Sequence, residues 1–180
     1  SKSVYDILLG HEVGHALWTP GEFFDDPESK VKYSHFDIVN VLEDIRIERK
    51  IQATYPGLPR YFKEGYTELH EKNFFEIADK DISELSFLDR LNLHAKIGTI
   101  IDVPLSDDER DIFDRAYAAE TFEEVLSLYD EVLKRLEDEK LEKDENGDKH
   151  IEESKPSEDS EEQESEVDET PPSPWSPDDD

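Results

Sequence analysis

A chain of 180 residues is long enough for one domain with a modest core. Its 49 acidic and 20 basic residues leave a formal charge of −29, which argues against nucleic acid and anionic membranes as partners. The absence of cysteine excludes disulfides and thiolate metal sites, so only histidine and carboxylate remain as zinc ligands. No apolar run reaches the roughly 18 residues of a membrane span, and no signal-peptide pattern is present.

Residues 2–17 read as a helix, with Ser3 as N-cap and Thr19-Pro20-Gly21 as its stop. Within it, His11-Glu12-Val13-Gly14-His15 has the pattern H-E-x-x-H. Histidines four apart on a helix share a face, so their imidazoles can converge on one cation. Glu12, beside them, is placed to take a proton from a metal-bound water. Gly14 lies between the ligand turns, where a missing side chain admits another backbone. The chain starts at Ser1 and has no methionine, so it reads as a piece of a longer protein.

Residues 20–34 carry Pro, Gly and Asp-Asp-Pro signals and read as a loop, with Trp18, Phe23 and Phe24 as packing residues. A second helix is expected over 36–52, with Ile38, Val41, Leu42 and Ile45 as its apolar stripe. Glu43 and Asp44 border that stripe, where an unpaired charge is costly. Either Arg46 or Arg49 could neutralise them; downstream of the histidine pair, a metal is the favoured partner. Residues 55–61 read as a turn-rich loop. Tyr55, Arg60, Tyr61 and Tyr66 are candidate oxyanion donors among which the sequence does not choose.

Helices are expected over 66–78 and 82–97, with Gly98 as the residue closing the second. His70 and His94 fall inside them and read as ordinary surface or core histidines. Two capping boxes follow, Ser106 with Glu109 and Thr121 with Glu124, opening helices to about Glu120 and Lys140. Phe122, Val125, Leu128, Tyr129, Val132, Leu133 and Leu136 form one stripe along the last. From residue 142 to the end, seventeen acidic residues face three basic ones. This composition and Pro171-Pro172-Ser173-Pro174 mark 141–180 as a disordered acidic tail or linker that includes His150, after a domain over 1–140. The expected class is mainly α, five or six helices, with any strand confined to 21–34 or 100–103.

His11-Glu12-Val13-Gly14-His15-Ala16-Leu17 together with Asn40-Val41-Leu42-Glu43-Asp44-Ile45-Arg46-Ile47-Glu48 resembles a known family. It is the zinc metallopeptidase region found ahead of von Willebrand factor A-like domains, including the peptidase-like proteins of large tailed phages. Cobalt-chelatase-associated proteins share a similar Leu-Glu-Asp-x-Arg stretch. The likeness covers roughly residues 1–70. It implies a zincin-like helical core whose upstream β-sheet is missing here. It further implies Zn2+ held by His11, His15 and Glu43, with Asp44 as the alternative ligand or as a group orienting a histidine. Glu12 would be the general base in hydrolysis of a peptide or protein substrate, and water would fill the open fourth position. The chelatase likeness implies an alternative: a non-catalytic metal-binding adaptor that works with an ATPase or a von Willebrand factor A-like partner. Either activity is expected in the cytoplasm, the host's for a phage-encoded chain.

Overall fold

A computed structural model describes residues 2–152, with side chains as far as residue 144. The described residues are mainly helical and contain no strand. Eight α-helices follow in order: α1 (Lys2–Trp18), α2 (Pro27–Lys32), α3 (Phe36–Thr54), α4 (Leu58–Glu71), α5 (Phe87–Ile97), α6 (Asp107–Ala118), α7 (Phe122–Leu126) and α8 (Tyr129–Glu152). A single 3-10 turn, Ile82–Glu84, precedes α5.

The central helix is α3, buried along most of its circumference. Its first half supplies Ile38, Val39, Leu42 and Ile45 to a core shared with Phe87 and Leu91 of α5, Ile112 and Ala116 of α6, Phe122 and Val125 of α7, and Tyr129 and Val132 of α8. Ile51, at the other end, joins a second core with Ile7 of α1, Phe62 and Tyr66 of α4, and Leu93 and Ile97 of α5. Each such aliphatic or aromatic side chain contributes about 1.5–3 kcal/mol when fully buried, so α3 is fixed from both ends. Val41, expected in the stripe, is only partly buried, and Val39 takes the inward place.

Two buried ion networks lock the helices together. Arg90 of α5 makes a two-pronged bond to Glu109 of α6, at 2.8 Å on each oxygen, and reaches Glu139 of α8 at 2.8 Å. Glu109 is also the capping-box acid, accepting from the Ser106 backbone N–H at 2.9 Å. Arg46 of α3 bonds the carbonyls of Trp18 and Glu120, at 2.9 and 3.1 Å, and so ties the end of α1 to the α6–α7 turn.

Several helix limits differ from the sequence expectation, each for a local reason. The 20–34 stretch contains a short helix, α2, capped by Asp26 and opened by Pro27. Helix α4 starts at Leu58, because Pro59 sits in its first turn where no intrahelical N–H is required. It stops at Glu71 because Asn73 turns left-handed (φ 54°), and its side chain accepts from the Ile77 and Ala78 N–H groups. Ser86, accepting from the Asp89 N–H, delays α5 to Phe87. Gly98 closes α5 with an ordinary right-handed backbone, φ −62°. The helix expected over 121–140 is two, α7 and α8, broken where Ser127 Oγ donates to the Glu124 carbonyl at 2.6 Å. Its second part runs to Glu152, so residues 141–152 belong to α8. The rest of the expected tail lies outside the described residues, as does the side chain of His150. No helix among the described residues is long and apolar enough to cross a membrane.

Candidate metal centre

Helices α1 and α3 approach closely because of Gly14. A Cβ there would lie 3.0 Å from Ile47 Cδ1 and 3.5 Å from the Ile47 carbonyl oxygen, so glycine is what lets α3 pack this close. The approach sets His11 and His15 of α1 against Asp44 and Glu48 of α3. Their inner-facing atoms form a compact group: His15 Nε2 is 3.1 Å from His11 Nε2 and 3.1 Å from Asp44 Oδ1, and His11 Nε2 is 3.6 Å from Asp44 Oδ1. Ligands about 2.0–2.1 Å from a tetrahedral zinc sit about 3.3 Å from one another, which is the size of this triangle. All three side chains are partly exposed, at 20, 27 and 20 % for His11, His15 and Asp44, so each reaches solvent.

The hydrogen bonds behind the triangle fix which ring nitrogen carries the proton. His11 Nδ1 lies 2.9 Å from Glu48 Oε1, and a carboxylate only accepts, so Nδ1 donates. His15 Nδ1 lies 2.9 Å from Thr19 Oγ1, whose own proton goes to Glu43 Oε1 at 2.5 Å, so this Nδ1 donates too. In their neutral forms both rings would present bare Nε2 lone pairs to each other and to a carboxylate oxygen. Three acceptors facing one point need a cation, either a proton or a metal ion. A carboxylate behind a ligating histidine is the usual way of fixing its tautomer.

The electrostatics favour a positive charge on His11 itself. Burial disfavours a charged His11, but the Glu48 hydrogen bond and the charges of Asp44 and Glu48 outweigh it and raise its pKa. Burial pushes Asp44 and Glu48 up, and their histidine bonds together with the Lys96 ammonium bring both below the ordinary range. Lys96 of α5 is itself raised: the penalty of its burial is outweighed by Glu48 and Asp44. Burial, then the Glu48 charge, raises the Tyr66 hydroxyl.

Of the residues expected at the site, His11, His15 and Asp44 come together and Glu43 does not join them. Glu43 points into the protein, fully buried, where Arg46 Nε and Nη2 hold its two oxygens at 2.8 and 2.6 Å. It reaches the group only through Thr19, as the support of the His15 tautomer. Glu12, next to His11 in the sequence, is exposed on α1. Among the candidate oxyanion donors, Tyr66 reaches the centre, donating to Glu48 Oε1 at 2.6 Å. Arg60 bonds the exposed Glu64, Tyr55 is half exposed, and Tyr61 packs against the second core. His70 and His94 stay apart, the latter edge-on to Phe113. Glu48, Thr19 and Lys96 were not anticipated as site residues. Glu48 had a readable signal, since Asp44 and Glu48 repeat the four-residue spacing of His11 and His15.

No protein-family model matches this chain, and no curated protein and no solved structure matches it.

Proposed function

We propose that this chain is a zinc-dependent hydrolase acting on peptide bonds, with His11, His15 and Asp44 holding the metal and Glu12 as general base. The observation that carries the reading is the convergence of the two Nε2 atoms and Asp44 Oδ1, with each ring anchored by a hydrogen bond on its Nδ1 side. Bound zinc would supply Lewis acidity and an acidified water. The residues of the chain do the rest. Glu48 and Thr19 keep the two rings oriented with Nδ1 protonated, and Glu12 holds and returns a proton on its carboxylate. A peptide would approach from the solvent that His11, His15 and Asp44 all reach.

A metal-binding adaptor working with an ATPase is the second reading. The outer surface of α1 favours it, because Tyr5, Leu8, Leu9 and Leu17 are all at least half exposed, an apolar area suited to a partner. Elemental analysis of the purified chain tests the shared part: one zinc per chain is expected, lost in Asp44→Asn, and a metal-free parent after zinc addition overturns both readings. Peptide-library cleavage separates them. Hydrolysis that Glu12→Gln abolishes at unchanged zinc content supports the enzyme; bound zinc with no cleavage supports the adaptor.

A further inference from the structure

Asp44 offers its two oxygens to different neighbours. Oδ1 faces the histidines, while Oδ2 accepts from Lys96 Nζ at 3.3 Å. The same ammonium donates to Glu48 Oε1 at 3.0 Å and to the Tyr66 hydroxyl oxygen at 3.4 Å, and it lies 5.5 Å from the Tyr66 ring centre. An ammonium has three N–H donors, and here three oxygens receive them. With a side chain only 14 % exposed, Lys96 is held from several directions, unlike a surface ion pair. Glu48 Oε1 is saturated in turn, accepting from His11, Tyr66 and Lys96.

We propose that Lys96 is a positioning residue of the metal centre, which occupies Asp44 Oδ2 so that Asp44 presents a single oxygen, Oδ1, to the cation. The inference rests on the metal-centre reading above. It has a second consequence, in charge. Asp44 and Glu48 together carry two negative charges, and Lys96 cancels one of them before any metal arrives. The centre is thereby less attractive to a divalent cation than two unbalanced carboxylates would be. It also keeps a coordination position from being filled by a second carboxylate oxygen, leaving that position to solvent or substrate. Arginine could keep the positive charge and the bond to Oδ2; methionine, of similar length, could do neither.

Titration of the full 180-residue chain with Co2+, read by its visible absorption, tests this. The unaltered chain is expected to bind one Co2+ with the intense bands of a four-coordinate ion. Lys96→Met should bind it about tenfold more tightly or better, with the weaker bands of five-coordination, because Oδ2 and its charge are released. Lys96→Arg should return both affinity and bands toward those of the parent. Equal affinity and unchanged bands in Lys96→Met would overturn the proposal, as would five- or six-coordinate bands in the unaltered chain. Should Lys96→Met fail to fold, the parent spectrum and Lys96→Arg decide. Absence of Co2+ binding by the parent is a different failure, that of the metal-centre reading itself.

Discussion

About 100° of helix rotation separates one residue from the next, and in α3 that angle turns Glu43 into the protein and Asp44 toward α1. The buried Glu43 carboxylate, with Arg46 beside it, connects the end of α1 to the turn after α6. Removing one partner of such a pair leaves a buried charge uncompensated, at a cost of about 3 kcal/mol. Glu43→Gln should therefore lower the free energy of unfolding by about that amount while zinc content stays at one per chain. Asp44→Asn should do the reverse, losing zinc with a smaller change in stability. Denaturant melts and elemental analysis of both variants check this, and loss of zinc in Glu43→Gln with zinc retained in Asp44→Asn would overturn the assignment of Asp44 as the ligand. The sequence could place both acids at the border of the buried stripe, but not choose between them. That choice depends on Thr19 and Arg46 closing around Glu43, which is a matter of distance across the chain. Lys96 was less legible still, since nothing in its own helix marks it as facing a site 48 residues upstream.

Among the elements, α1, α3 and the two capping-box helices were readable because their signals are local: a histidine pair at helical spacing, an apolar stripe, and a side chain that caps three residues on. The α7–α8 break was not, because Phe122, Val125, Leu128, Tyr129 and Val132 keep the same apolar rhythm across it. The packing of α1 was half legible. Gly14 pointed to a close approach, whereas Gly65 of α4 gave no warning of one. A Cβ on Gly65 would lie 2.8 and 2.9 Å from Ile7 carbons and 3.0 Å from the Ser3 carbonyl oxygen. Alanine gains about 1 kcal/mol of helix propensity over glycine, but overpacking against a backbone atom costs about 1–3 kcal/mol. Gly65→Ala should be destabilised by up to about 2 kcal/mol on balance, and its zinc affinity should fall because α1 carries both histidines. A urea midpoint at or above that of the parent would show that α1 is free to shift.

For the whole molecule, acidification acts in two opposed ways. Protonating exposed carboxylates relieves the self-repulsion of a chain with formal charge −29, while protonating buried ones breaks the networks that join its helices. Glu109 decides which effect wins. Burial alone would raise its pKa, but the bonds from Arg90 and the Ser106 N–H, with the Arg90 charge, hold it below the ordinary glutamate value of 4.5. A carboxyl depressed on folding contributes stability that is fully present above its unfolded pKa and is lost as pH falls through the lower folded one. Asp44 and Glu48 are depressed as well and add to the same loss. The thermal midpoint should thus change little between neutral pH and about 5, then fall steeply below the ordinary carboxylate range. Glu109→Gln should begin about 3 kcal/mol less stable at neutral pH, since Arg90 loses its two-pronged partner. It should then lose less on acidification, so that the two curves converge at low pH. Thermal melts of parent and variant from neutral pH to about 3 measure this directly. Curves that stay parallel would mean that Glu109 contributes no pH-dependent stability, and a parent midpoint that rises below about pH 5 would mean that charge relief across the surface outweighs the buried network.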